Sequence, residues 1–167
     1  MKKSFVIVIA VGLFLLGGAE GAKAAAQNPE LGAGLILGAP TGLSVKYWMP
    51  KNQALDAGLG FPFDSDVQFS FHTDYLWQIP TGANVPGELP FYMGLGLRLR
   101  AVDRPDETQK IDFGFRIPVG LEFSPRNVPL NFFAELAPVV VFIPKGKLDL
   151  DGGVGVRYRF GASESKK

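Results

Sequence analysis

The sequence predicts an all-β protein, an eight-stranded antiparallel up-and-down β-barrel, on three observations. Between Ile111 and Phe123 the odd positions Ile111, Phe113, Phe115, Ile117, Val119, Leu121 and Phe123 are all apolar, and the positions between them are Asp112, Gly114, Arg116, Pro118, Gly120 and Glu122. Successive side chains of a strand point to opposite faces, so one face is wholly apolar and the other carries charge and glycine. The same division recurs in segment after segment, separated by Pro- and Gly-rich turns. Glycine is abundant, 21 of 167 residues, and falls repeatedly on the charged face.

In chain order, alternation and turn signals place strands at 31–38, 42–49, 54–61, 67–77, 90–101, 111–123, 130–142 and 149–160. Short connections are marked by Ala39–Gly42, Met49–Asn52, Pro62–Asp66, Ser124–Pro129 and Ile143–Gly146, and longer ones by Gln78–Leu89 and Val102–Lys110. Pro118 and Pro138 lie inside predicted strands, where each removes a ladder donor and so marks a local irregularity. No internal repeat or interdomain linker divides the chain, and roughly 140 residues suit one domain.

Ahead of the first strand, Lys2 and Lys3 precede an apolar run from Phe5 to Leu16, then small residues and Ala22-Lys23-Ala24. A basic start, a short apolar core and an Ala-x-Ala site form a secretory signal peptide, and the run falls short of the roughly 20 residues a membrane-spanning helix needs. The expected organisation is a signal peptide at 1–24 (cleavage after Ala24, with Ala26 the alternative), a barrel at 25–160 and a polar tail at 161–167. Removing residues 1–24 takes away three lysines and one glutamate, leaving 14 Lys+Arg against 15 Asp+Glu. A net charge of −1 gives no sign of a nucleic-acid partner. With no cysteine, disulfides, thiol nucleophiles, Cys-based metal sites and a lipidated N-terminal Cys are excluded.

Alternation alone allows two opposite proteins: a soluble calycin-type ligand carrier with an apolar interior, or a membrane barrel with an apolar exterior. Three features favour the membrane barrel, in which closure pairs every backbone group in lipid. Gly32, Gly34, Gly58, Gly60, Gly94, Gly96, Gly114, Gly120, Gly153 and Gly155 share the charged face, and the narrow interior of an eight-stranded barrel needs small residues to make room for arginines. Tyr47, Tyr75, Trp77, Phe91, Phe123, Phe132 and Phe160 gather on the apolar face where strands meet one interface, as an aromatic girdle. The last strand ends Val154-x-Val156-x-Tyr158-x-Phe160, similar to the terminal-strand signal read by outer-membrane assembly machinery, although here a seven-residue tail follows the final aromatic.

Gly38-Ala-Pro-Thr-Gly-Leu-Ser-Val-Lys-Tyr-Trp48, Ala54-Leu-Asp-Ala-Gly58, His72-Thr-Asp-Tyr-Leu-Trp77, Glu135-Leu-Ala-Pro138 and Asp151-Gly-Gly-Val-Gly-Val-Arg157 together resemble a family of small bacterial outer-membrane β-barrels, similar in architecture to the OmpA transmembrane domain and OmpX. The resemblance covers roughly residues 30–160 and implies an eight-stranded barrel in the outer membrane, in contact with membrane lipid and lipopolysaccharide. It carries no catalytic residue or cofactor with it.

On the inward face the cations are Lys46, Arg98, Arg100, Arg116, Arg157 and Arg159, and the anions are Asp56, Asp74, Asp112, Glu122, Glu135, Asp149 and Asp151, with His72 among them. Buried charge is costly unless paired and hydrogen-bonded, so near-equal numbers of each sign predict a structural salt-bridge network that plugs the lumen. The alternative is a narrow porin-like channel whose selectivity the same charges set. Asp149 and Arg159, near strand ends, are expected to be solvated.

Ser70, His72 and Asp74 lie at i, i+2 and i+4 on one inward face. Same-face neighbours are roughly 6.5–7 Å apart along a strand, too far for a relay within one strand. A lipid-modifying outer-membrane enzyme is therefore the less favoured class. Gly94-x-Gly96 and Gly153-x-Gly155 lack the third glycine and the helix of a nucleotide loop. With one histidine, a transition-metal site has little support. The acidic run Asp103–Glu107 reads as a solvated outer-loop tip, with weak divalent-cation or lipopolysaccharide contact as its functional alternative.

Overall fold

A computed structural model describes residues 30–61, 67–102 and 111–160. The expected signal peptide at 1–24, the Asp103–Glu107 tip and the tail at 161–167 lie outside the described residues. The strands are β1 (Glu30–Ala39), β2 (Gly42–Met49), β3 (Gln53–Gly60), β4 (Val67–Pro80), β5 (Gly87–Glu88), β6 (Pro90–Val102), β7 (Ile111–Arg116), β8 (Val119–Pro125), β9 (Leu130–Ile143) and β10 (Lys147–Phe160). All pair antiparallel with their neighbours, and β10 pairs with both β9 and β1, so the ring of pairings returns to its start. The result is an eight-stranded up-and-down barrel, because β7 and β8 share one position in the ring and β5 prolongs the wall at the start of β6.

Three sequence expectations are corrected. The predicted strand 111–123 is interrupted at Ile117 and Pro118. The predicted link 78–89 is partly wall, since β4 runs on to Pro80 and Gly87–Glu88 pair with Ser124 and Pro125. Phe61 lies just outside β3, although its N–H still reaches the Thr41 carbonyl at 3.0 Å.

The interruption leaves the register intact. Gly96 faces Arg116 before it, and Met93 faces Val119 after it, with no residue gained or lost. The Gly94 N–H donates to the Pro118 carbonyl at 2.9 Å and the Ile117 N–H to the Pro138 carbonyl at 3.0 Å. Each proline thus accepts one bond of its pair and has no N–H to return the other. Valine at Pro138, whose side chain faces outward, would supply that missing donor to Ile117. Pro138→Val is therefore expected to stabilise the barrel by about 0.5–1.5 kcal/mol, read as a rise in the urea midpoint of unfolding from lipid vesicles.

Stepping between paired residues from Lys46 leads through Asp56, Asp74, Gly96, Arg116 and Val139 to Asp149. The other way round, through Gly32, it arrives at Arg159. The two arrivals lie ten residues apart on β10, a shear of ten, which tilts the strands at the roughly 35–45° of closed barrels. Glycine lets the wall close this tightly: a Cβ on Gly34 would lie 1.8 Å from the Val156 carbonyl oxygen. At the near rim, where β1 begins and β10 ends, Lys51 and Asn52 turn the β2–β3 hairpin with φ of 65° and 58°, matching the twist of its strands. At the far rim the β1–β2 turn holds Gly38 at φ 145° and tucks Pro40 inward, near Gly60.

The two faces divide cleanly. Outward positions are apolar throughout the strands apart from Thr73, Gln53 and small residues, and none carries a charged side chain. Leu35, Leu95, Phe115, Leu136 and Leu150 are among the exposed apolar side chains. Lys46, Arg98, Arg116, Arg157, Asp56, Asp74, Asp112, Glu122, Glu135 and Asp151 are buried inside. This is the inverse of a soluble barrel, whose charged face meets water.

Candidate functional site: the charged lumen

From the near rim, the lumen begins with an apolar floor. Ala54, Leu76 and Tyr92 are buried and Trp48 packs against them. Lys46 lies over this floor, its ammonium 4.6 Å from the Tyr92 ring centre and 5.6 Å from that of Trp48, within cation–π range. Its Nζ donates to Glu122 Oε1, crossing from β2 to β8, and Gln78 Nε2 donates to Glu122 Oε2 at 2.7 Å. Arg157 from β10 joins the same layer. It donates to Asp56 at 2.5 Å, Ser44 at 2.9 Å, Asn131 at 3.3 Å and Glu122 at 3.4 Å, and its guanidinium stacks 3.7 Å from the centre of the Phe133 ring.

Above it, Arg116 joins three strands. Nε donates to Asp74 Oδ2 at 3.1 Å, Nη1 to Asp151 Oδ2 at 3.4 Å, and Nη2 to Glu135 Oε1. The Tyr92 hydroxyl donates to the other Glu135 oxygen at 2.9 Å. Toward the far rim, Arg98 and Arg100 reach from β6 across to β10 and share two acceptors. Arg98 donates to Asp151 Oδ1 at 2.6 Å and Asp149 Oδ2 at 2.8 Å, and Arg100 to the same oxygens at 2.8 and 3.2 Å. Lys147 Nζ lies 2.9 Å from Asp112 Oδ2.

Every predicted network residue faces the lumen, and the structure brings all but His72 into close ion pairs. The ring of His72 lies beside Gly58, with Nε2 4.0 Å from Asp74 Oδ2 and, among the described residues, no hydrogen-bond partner for Nδ1. Ser70 Oγ also lacks a partner, so Ser70, His72 and Asp74 form no hydrogen-bonded relay. Asp149 and Arg159, expected to be solvated, are instead partly buried and paired: Arg159 Nε donates to Glu30 at 2.9 Å. The glycines make room differently from the expectation as well. A Cβ on Gly96 would strike Asp74, on Gly58 His72, on Gly120 Tyr92, on Gly155 Phe133 and on Gly32 Trp48, so they clear space for these side chains rather than for arginines.

Sequence reasoning missed Trp48, Tyr92 and Phe133 as lumen residues, together with Ser44, Gln78, Ser124, Asn131, Lys147 and Glu30. Parity could have found the aromatics, since Trp48 shares its face with Lys46, Tyr92 with Gly94, and Phe133 with Glu135. Of the predicted girdle, Tyr47, Tyr75, Trp77, Phe91, Phe123, Phe132 and Phe160 all face outward, with Phe123 paired to Phe132 and Leu31 set between Tyr47 and Phe160. A second outward aromatic group, Phe113, Phe115 and Phe142, lies toward the far rim with ring centres 5.1 and 5.2 Å apart.

Polar satisfaction is uneven along the axis. Among the described residues, the buried side-chain atoms without a hydrogen-bond partner are Ser70 Oγ, His72 Nδ1, Asp74 Oδ1, Arg98 Nε and Arg100 Nε. All five belong to β4 and β6, and Ser70 pairs with Arg100 and His72 with Arg98 across that ladder. Each such atom costs about 1–3 kcal/mol when kept dry. The near layer of Lys46, Glu122, Arg157 and Asp56 has none.

A closed antiparallel barrel with its charge inside and an uncharged apolar wall outside defines the class of small transmembrane β-barrels. The chain has the fold of the N-terminal β-barrel domain of Pseudomonas aeruginosa OprF, with a TM-score of 0.55 at 18% identity over 81% of this chain and 98% of that one. Neisserial surface protein A (TM-score 0.43, 12% identity, covering 79% of this chain and 96% of that one) and Ail, the attachment invasion locus protein of Yersinia pestis (0.42, 14%, 80% and 99%), were also matched. No family model and no curated protein matches the chain.

Proposed function

We propose that this chain is an exported, integral protein of the bacterial outer membrane with a structural or interaction role, its lumen plugged by paired charges and without catalysis. The separation of charge carries the reading: no charged side chain faces outward in the described strands, while the inward charges are buried in pairs. The outward row of β10 from Leu148 to Phe160 would cover about 30 Å at a rise of ~3.3 Å per residue and a tilt of ~40°, matching the ~25 Å apolar band of outer-membrane barrels plus its aromatic borders. In this placement the near rim faces the periplasm and the girdle from Tyr47 to Phe160 lies at the inner interface. Val154, Val156, Tyr158 and Phe160 present an outward apolar row to the assembly machinery, and lipid and lipopolysaccharide surround the wall.

The plug reading is supported by burial: Lys46, Arg157 and Glu122, which form one layer across the lumen, are each at most 1% exposed. The refolded mature chain, shown folded by heat-modifiable migration, is expected to be silent in a planar bilayer. Steady single-channel openings that change in Arg98→Ala or Asp112→Ala would replace the plug with the narrow-channel alternative. Export is tested separately, by N-terminal sequencing of the protein recovered from outer membranes, where cleavage after Ala24 is expected.

A further inference from the structure

The two halves of the plug are built differently, and the inference rests on the plugged-lumen reading above. Toward the near rim, Lys46, Gln78, Glu122, Arg157, Asp56, Ser44 and Asn131 engage one another and are backed by an apolar floor. Toward the far rim, the unpartnered atoms belong to Ser70 and His72 on β4 and to Arg100 and Arg98, their register partners on β6, one step along the same inward face from Asp74 with its own unpartnered Oδ1. The far side is also where solvent already arrives, since the side chains of Arg100, Asp149 and Lys147 are 16, 27 and 42% exposed.

We propose that the far half of the lumen is a blind, hydrated vestibule that admits water and small uncharged hydroxyl-bearing solutes, closed below by the Lys46–Glu122–Arg157 layer as a septum. The chemistry of the free atoms selects such occupants. Two guanidinium Nε–H groups offer only donors, Asp74 Oδ1 only accepts, and Ser70 and His72 can do either, so an occupant needs both functions. Charge argues against an anion, because Arg98 and Arg100 are already matched by Asp149 and Asp151 and Arg116 faces two further carboxylates, Asp74 and Glu135, while the two guanidinium Nε–H groups repel a cation. A buried polar site that offers several partners holds water at little cost, whereas keeping it dry leaves each group's hydrogen bonds unmade.

The cysteine-free chain permits a direct test. Ser70→Cys places a thiol in the vestibule and Ser44→Cys places one in the septum, both nearly isosteric. Each folded barrel, checked by heat-modifiable migration, is treated with 2-hydroxyethyl methanethiosulfonate and followed by mass spectrometry, with the urea-unfolded chains as reference. The expected result is modification of Ser70→Cys at least about tenfold faster than Ser44→Cys when folded, and equal rates when unfolded. Slow reaction at both folded sites would overturn the vestibule and leave the plug standing. Fast reaction at both would overturn the septum, and with it the plugged lumen. Ser124→Cys, bonded to Asn131 in the near half at 3.1 Å, substitutes for Ser44→Cys if that variant does not refold.

Discussion

Replacing Arg116 by alanine is expected to destabilise the barrel by about 3–5 kcal/mol, the cost of leaving a buried charge without its partner. The guanidinium serves three carboxylates, but they do not depend on it equally. Asp151 keeps Arg98 and Arg100, and Glu135 keeps the Tyr92 hydroxyl. Among the described residues, Asp74 is left with only His72 at 4.0 Å. The damage should therefore concentrate at Asp74, and Asp74→Asn in the Arg116→Ala background is expected to recover about 1–3 kcal/mol by removing the stranded charge. Arg98→Ala should cost much less, because Arg100 grips the same two oxygens. Urea unfolding of the three variants in lipid vesicles checks this order. Equal losses for Arg116→Ala and Arg98→Ala would mean that the lumen spreads its charge more evenly than the hydrogen bonds indicate.

The second large effect is steric. A Cβ at Gly96 would lie 1.8 Å from Asp74 Oδ1 and 2.4 Å from the Thr73 carbonyl oxygen. A side chain can move aside, but a carbonyl of the neighbouring strand moves only if the β4–β6 ladder moves with it. Gly96→Ala is therefore expected to abolish the heat-modifiable form, with overpacking costs of about 1–3 kcal/mol or more added to the displacement of Asp74 from Arg116. Gly146→Ala, with no atom within 4 Å of the added Cβ, should refold normally and serves as the comparison. Normal folding of Gly96→Ala would show that the wall at this point has slack.

Much of this architecture was legible in the residues. Period-two alternation from Ile111 to Phe123 places each side chain on a face whether or not the strand is interrupted, which is why Pro118 splits the strand without disturbing the reading. The partners were not legible. Arg157 meets Ser44 and Asp56 more than a hundred residues away, and those meetings depend on the shear of the closed ring, which alternation does not contain. The role of glycine was misread for the same reason. Glycine on the charged face signals a close approach, but only the register shows that the approaching groups are His72, Asp74, Tyr92, Phe133 and Trp48. Short rim elements such as Gly87–Glu88 escaped because two residues show no period at all.

The seam between β1 and β10, where Leu31 meets Phe160 and Ala39 meets Gly152, has a consequence in time. It joins the two most distant strands in the chain, so it is the pairing with the highest loop-closure cost. Without it the chain is a curled sheet with two bare edges, each a row of unpaired N–H and C=O groups open to any other strand. Closing this one seam removes both edges at once, so the loss of exposed backbone is a single event rather than a gradual one.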